Sequence, residues 1–467
     1  MRKTKPRAVA PLSVIVLAAG QGKRMKSSLP KVLQPLAGEP LLAHVVRAAR
    51  ALQPARLVIV HGHGAEQVRA AFRDSDDLHW TLQPQQRGTG HAVKLALPDV
   101  PDDHVALVLF GDVPLVSTAA LAPLVDAARG GALALLTVEL ADATGYGRVL
   151  RDARGRVRAI VEHKDASAAQ LRVRECNTGV LAAPARLLRG WLERLRSDNA
   201  QGEFYLTDVV GLAAKARVPI TAERAADAAD VLGVNDRRQL AEVEKVLRHR
   251  RAGALLDAGA TLADPARVDV RGEVEVGSDV SIDVGVVLEG RVVLGDGVHV
   301  GPYCVLRDVT LGANTRVAAH SVLEQASAGR GCSIGPFARL RPGAKLGDAV
   351  HIGNYVEVKN STLADGAKAN HLTYLGDASV GARTNVGAGT ITCNYDGVNK
   401  HRTEIGADAF IGSGSMLVAP VTVGEGATIG AGSTITQDAP AGTLTLARSR
   451  QVAVEGWRRP VKGGGKQ

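Results

Sequence analysis

The sequence predicts two folds in series: an α/β domain on a doubly wound, mainly parallel sheet, then a parallel β-helix of six-residue repeats. Three observations carry this. Up to about residue 236, short aliphatic runs alternate with amphipathic helical patterns. From about residue 262, an aliphatic residue returns every sixth position. Aromatic residues make up only 3% of a chain with 52 glycines in 467 residues, so the core must be filled by Val, Leu, Ile and Ala, and glycine exceeds its usual share of ~7%.

In chain order, Ser13–Ala19 reads as a buried first strand running into Gly20. Arg2, Lys3, Lys5 and Arg7 ahead of the apolar stretch also match the start of a signal peptide; the turn that follows Gly20 decides for the strand. Leu57–His61, Val105–Phe110 and Ala132–Val138 read as further strands, with helices at Leu41–Leu52, Ala65–Phe72 and Ala119–Ala128. Arg237–Gly253 reads as one connecting helix. The expected divisions are a basic extension at 1–11, a first domain at 12–236, a helical linker at 237–257 and a repeat domain with a basic tail at 258–467.

The repeat runs Val270, Val276, Ile282, Leu288, Leu294, Val300, Leu306, slips by one to Leu311, Val317, Leu323, and resumes at Ile334, Leu340, Leu346, Ile352, Val358. A last series runs Ile405, Ile411, Leu417, Val423, Ile429, Ile435. A period of six is neither helical nor a heptad. It fits short strands whose anchors point into a stacked prism. Gaps around 360–379 and 392–403 are where loops should leave it.

The formal charge is +10, from 57 basic and 47 acidic residues. Without a Lys/Arg stripe interleaved with aromatics, that excess speaks for anionic metabolites and against nucleic acid. Cys176, Cys304, Cys332 and Cys393 form no CxxC pair and fit free thiols in a reducing cytoplasm. No apolar run reaches the ~18 residues of a membrane span.

Two constellations carry chemistry. After the first strand comes Leu17-Ala18-Ala19-Gly20-Gln-Gly22-Lys23-Arg24-Met25, then Pro30-Lys31. Small residues let backbone N–H groups close around phosphates, and Arg24 and Lys31 add positive charge where a reacting phosphorus gains negative charge. Phe110-Gly111-Asp112 ends a buried strand at the carboxyl edge, where ligands bind such sheets; taken alone, Asp112 also reads as a helix N-cap. In the repeat domain, His371 stands in a cluster with Tyr374, Asn385, Asn394 and Tyr395. A histidine suits removal of a proton from an amine that receives an acyl group. A zinc site of three histidines fails on spacing, since His299, His320, His351 and His371 contain no pair five apart.

The first constellation resembles the sugar-nucleotide pyrophosphorylases. With the hexapeptide domain, the chain from residue 12 to Glu455-Gly-Trp-Arg-Arg-Pro460 resembles the bacterial bifunctional N-acetylglucosamine-1-phosphate uridylyltransferase/glucosamine-1-phosphate N-acetyltransferase family. The resemblance implies a left-handed β-helix, Mg²⁺, UTP and acetyl-coenzyme A as co-substrates, a cytoplasmic homotrimer with acetyltransferase sites between solenoids, and a place in peptidoglycan and lipopolysaccharide synthesis. It implies that Leu17–Gly20 and Lys31 cradle UTP, that Gln83, Gly88 and Thr89 read uracil, and that Asp112 and Asn235 hold the metal beside Phe110 and Gly111. Gly147, Glu162 and Asn177 would hold the sugar. In the second domain it implies His371 as base, Arg341 and Lys359 on the sugar phosphate, Tyr374 and Asn385 on the sugar, and Ala388, Asn394, Tyr395, Ser413, Ala431 and Arg448 at acetyl-coenzyme A. The chain departs from the family pattern at Lys23, Phe110 and Asn370. Two other readings are a nucleotidyltransferase whose solenoid only assembles or regulates, as in ADP-glucose pyrophosphorylases, and a non-catalytic scaffold. The His371 cluster argues against the first, and Arg24, Lys31 and Asp112 together argue against the second.

Overall fold

The computed structural model describes residues 9–460. Arg2, Lys3, Lys5, Arg7, Lys462 and Lys466 lie outside the described residues. Contacts divide the chain into Met1–Leu247 and Arg248–Gln467, a cut within one long helix, Arg237–Asp257.

In the first unit, the strand Leu12–Ala18 lies parallel between Arg56–His61 and Val105–Phe110. Leu78–Leu82 continues the sheet on one side. On the other, Glu175–Pro184 runs antiparallel between Val105–Phe110 and Leu133–Glu139, and Ile220–Arg224 closes the edge. The sheet is therefore mixed but mainly parallel. Its central strand reads as one apolar run because helices cover both faces: Leu12, Val14 and Val16 enter one core and Ile15 the other. The chain leaves this strand toward both sides of the sheet, which opens a crevice at its carboxyl end. The helix Thr118–Arg129 is capped by Ser117, whose Oγ accepts from the Ala120 N–H at 3.2 Å. Asp112 is thus free of the capping role.

The second unit is a parallel β-helix with three flat faces. The first stacks Ser281, His299, Arg316, Ser333, His351, Lys368 and Asn385. The second stacks Val287, Val305, Val322, Arg339, Glu357, Tyr374, Ile391 and Met416. The third stacks Val293, Thr310, Ser327, Lys345, Thr362, Ser379 and Glu404. Every predicted anchor is buried except Val276, which is half-buried. Cys304 and Cys332 sit inside this prism, where burial pushes the Cys304 thiol up to about 11.

Only one of the two expected loops exists. Between Thr392 and Thr403 the chain leaves the prism and returns to pair with its neighbour coil. Through 360–379 the coils continue instead, anchored by Leu363, Ala369 and Leu375. The period is hidden there because Asn360 and Asp377 adopt φ of 45° and 50°, turning a corner with one residue fewer. Asp308 does the same at the earlier slip, with φ 52°.

Adjacent coils approach closely at some glycines. A Cβ at Gly353 would land on the carbonyl oxygen of Asn370. Gly353→Ala should therefore destabilise the β-helix by about 1–3 kcal/mol, visible as a lower denaturation midpoint; an unchanged midpoint would refute the close approach.

Candidate functional site

At the carboxyl edge of the first sheet, three segments far apart in sequence converge on one ammonium group. Gly22 takes φ +62°, and a Cβ there would lie 2.6 Å from that of Lys31, so glycine lets the turn close over Lys31. Lys31 Nζ forms an ion pair with Asp112 and donates to Asn235 Oδ1 at 3.2 Å. The Asn235 segment is fastened there by the Val234 N–H, which donates to the Asp112 carbonyl at 2.8 Å. Gln239 Oε1 also accepts from the Asn235 N–H at 2.8 Å.

The cleft around this group is lined by Leu17, Ala18, Ala19, Gly20, Gln83, Gly88, Thr89, Phe110 and Asp112. Gly111 lies beneath, its N–H donating to the Leu17 carbonyl at 2.9 Å. Thr89 and Phe110 also line the adjoining cleft, which holds Gly147, Glu162 and Asn177. Gly179, at φ +87°, leaves room for the Phe110 ring, which stands 2.5 Å from where a Cβ would be. Burial pushes the Glu162 carboxyl above its usual range, although Thr207 Oγ1 donates to it at 3.0 Å. Arg24 is exposed on the one-turn helix Lys23–Met25 and is not among the residues lining either cleft.

The described residues contain no group of three His, Cys, Asp or Glu that could hold a metal. The donor pair nevertheless suits a hard divalent cation: oxygens of Asp112 and Asn235 already converge on one positive charge. Two protein oxygens leave the remaining positions to phosphate and water, as Mg²⁺ commonly requires.

On the β-helix, the predicted residues form two groups at opposite edges of the second face. At the edge shared with the first face, His371 ends the strand Lys368–His371 opposite Asn354. Its Nδ1 lies 2.7 Å from Asn354 Oδ1; with that oxygen accepting from Nδ1–H, the Nε2 lone pair is left open. Along the same corner runs a column one coil apart. The Gly414 N–H donates to the Ala388 carbonyl at 2.7 Å, and the Gly432 N–H donates to the Ser413 carbonyl at 2.8 Å. Arg448 Nη1 donates to the Ala431 carbonyl at 2.7 Å. Asn385 lies on the first face, beside Lys368.

At the edge shared with the third face stand Arg341 and Lys359. Arg341 donates to Glu357 at 2.8 Å. Lys359 faces Lys400, from the excursion 394–402, and its neighbouring ammonium holds the Lys400 pKa below its ordinary value. Two cations so close together make a site for a polyanion. Asp377 lies between Asn360, which donates to it at 2.6 Å, and Asn394. Burial works against the Asp377 carboxylate, but these donors outweigh it and hold its pKa low. Tyr395 is exposed and bridges to Lys400 across the excursion. Tyr374 pairs with Glu357 and Ile391 on the face between the two groups.

Sequence reasoning missed Thr207, Asn354, Asp377 and Lys400 as parts of these sites. It also missed a stacked column at the first corner: Tyr303, His320, Phe337 and Tyr355, with ring centres 5.2, 5.0 and 5.3 Å apart. The recurrence of these residues once per coil was the available signal.

Comparison with known proteins is consistent along the chain. Residues 14–205 match the model of the MobA-like NTP transferase domain. Residues 402–437 match the bacterial transferase hexapeptide (six repeats), and residues 270–354 the GMPPB C-terminal domain. The chain is 59% identical to the Bifunctional protein GlmU of Bordetella parapertussis, over 97% of this chain and 99% of that protein. It is 60% identical to that of Alkalilimnicola ehrlichii, over 96% of each, and 59% identical to that of Stenotrophomonas maltophilia, over 97% and 99%.

Proposed function

The chain belongs to the bifunctional GlmU family, and from that premise we propose how its residues divide the work between two sites. It is a bifunctional transferase, a uridylyltransferase in its first domain and an acetyltransferase in its second, acting in cell-wall synthesis. Glucosamine-1-phosphate is acetylated from acetyl-coenzyme A on the β-helix. The product, N-acetylglucosamine-1-phosphate, is then joined to UTP, giving UDP-N-acetylglucosamine and pyrophosphate for peptidoglycan and lipopolysaccharide in the cytoplasm.

The observation that carries the first assignment is the contact of Lys31 with Asp112 and Asn235. In our reading Asp112 and Asn235 would hold Mg²⁺, which would supply neutralisation of phosphate charge and orientation of the triphosphate, and Lys31 would contact the phosphates. Gly20 and its neighbours offer small side chains and backbone N–H groups, and Gln83 and Gly88 face the base. Gly147, Glu162 and Asn177 hold the sugar so that its phosphate oxygen attacks the α-phosphorus in line while pyrophosphate leaves. No protein nucleophile is needed, because alignment and charge supply the catalysis. Incubation with glucosamine-1-phosphate, acetyl-coenzyme A, UTP and Mg²⁺, each omitted in turn, tests the scheme. Uridylyl transfer without acetyl transfer would favour the reading of a solenoid that only assembles.

On the β-helix, His371 Nε2 takes a proton from the substrate amine as nitrogen attacks the thioester carbonyl, the C–S bond breaks, and the imidazolium gives that proton to the departing thiolate of coenzyme A. Arg341, Lys359 and Lys400 bind the sugar phosphate, Tyr374 and Asn385 the sugar, and the column Ala388, Ser413, Ala431, Arg448, with Asn394 and Tyr395, the coenzyme. These two groups stand at opposite edges of one face, so a single chain does not join them. A homotrimer that sets one chain's cationic edge against its neighbour's His371 edge does. The exposed ring column at that corner, with Tyr355 57% exposed, supports self-association. Chains carrying His371→Ala and Lys359→Ala, each inactive in acetyl transfer, should regain activity when co-expressed, because mixed trimers then contain some intact sites. Absence of recovery in assembled mixed trimers would place each site within one chain.

A further inference from the structure

Gln83 is buried at the rim of the nucleotide cleft. Its side-chain nitrogen lies 3.3 Å from the Gly88 carbonyl oxygen and 3.2 Å from Nδ1 of His91. A carbonyl oxygen only accepts, so the atom facing it must be the amide NH₂. The second hydrogen of that group points at His91 Nδ1, which therefore carries a lone pair, with the ring proton on Nε2. Gln83 Oε1 remains as the acceptor of a residue that lines the cleft.

His91 is not among the residues lining that cleft. Its ring borders a separate, largely apolar cavity with Phe204, Leu192 and Leu195. The Phe204 segment is pinned beside it, because the Gly90 N–H donates to the Phe204 carbonyl at 2.8 Å. Burial, with Arg87 and Lys94 nearby, pushes the His91 pKa down, which preserves the lone pair at neutral pH.

We propose that His91 is a positioning residue for base selection, fixing the Gln83 amide so that Oε1 faces the N3–H of uracil. The inference rests on the uridylyltransferase reading above. Cytosine carries a lone pair at N3, which would meet Oε1 acceptor against acceptor. Without the Nδ1 acceptor, the amide is held only by its longer contact with the Gly88 carbonyl at 3.3 Å, so turning over to offer NH₂ costs less and the preference for uracil narrows. A histidine that merely filled space would change stability without changing the ratio between two nucleotides.

The test uses the full-length protein with kcat/KM measured for UTP and for CTP. His91→Leu should raise the CTP-to-UTP ratio by roughly tenfold to a hundredfold, mainly through a higher KM for UTP. His91→Asn, whose Oδ1 can accept in place of Nδ1, should restore most of the preference. An unchanged ratio in His91→Leu, or an equal loss in both variants, overturns the proposal. A wild-type enzyme with no preference for UTP would instead refute the uridine reading itself. Should His91→Leu fail to fold, nitrogen NMR of the histidine-labelled wild-type protein decides the same point: a proton on His91 Nδ1 overturns the proposal.

Discussion

Asp112→Ala and Lys31→Ala should each reduce uridylyl transfer on the order of 10²–10³-fold, the usual cost of removing a preorganised charge, while acetyl transfer continues. The two losses differ in kind. On the proposed metal site, Asp112→Ala would take away one of two protein oxygens for the divalent cation, so its rate should recover in part as magnesium is raised. Lys31→Ala removes a cation that magnesium cannot replace at the same point, so its defect should persist at saturation. In the resting protein Lys31 contacts both oxygens, so its removal also leaves Asp112 without its ion-pair partner. Both variants should be assayed for acetyl transfer in the same preparation. If both activities fell together in folded protein, two independent sites would be the wrong description.

His371→Ala should lower acetyl transfer by about 10²–10⁴-fold, the range for loss of a general base, with uridylyl transfer from N-acetylglucosamine-1-phosphate unchanged. The side chain is exposed at a corner and is not a core anchor, so the variant should keep the wild-type denaturation midpoint. Asn354→Ala supplies the internal control. It leaves the imidazole in place but removes the acceptor 2.7 Å from Nδ1, so its defect should be smaller and appear in kcat more than in KM. Wild-type acetyl transfer by His371→Ala would remove the base assignment and return the β-helix to an assembling role.

The N-terminal cleft was the more legible of the two sites. The residues from Leu17 to Gly20, Lys31, Gln83, Gly88, Thr89, Phe110 and Asp112 line one cavity, because all stand at or near strand ends that a parallel sheet brings to a single edge. Arg24, which the glycine-rich constellation offers as a charge for the reacting phosphate, stands exposed on Lys23–Met25, bracketed by left-handed turns at Gly22 and Lys26. On the β-helix, the six-residue period could be followed through its earlier slip at Asp308 but was lost after Val358, where left-handed corners at Asn360 and Asp377 shortened the coil and buried Ala369 took an anchor position. The apparent loop was a change of step.

Sequence alone determined the class of each domain, since strand, helix and hexapeptide periods depend only on which residues must face inward. Through local motifs and a family resemblance it also named residues that the fold gathers along one cleft of the first domain. Tertiary structure alone decided what those residues do to one another. Asn235 meets Lys31 across more than two hundred residues, Asn354 orients His371 one coil away, and Lys400 returns from an excursion to stand beside Lys359. It also decided that the His371 and Lys359 groups occupy opposite edges of one prism face. Such pairings depend on how many residues each coil spends at its corners, and left-handed residues such as Asp308 and Asn360 shorten a corner by one while the anchors that follow stay in register. No local pattern carries that sum.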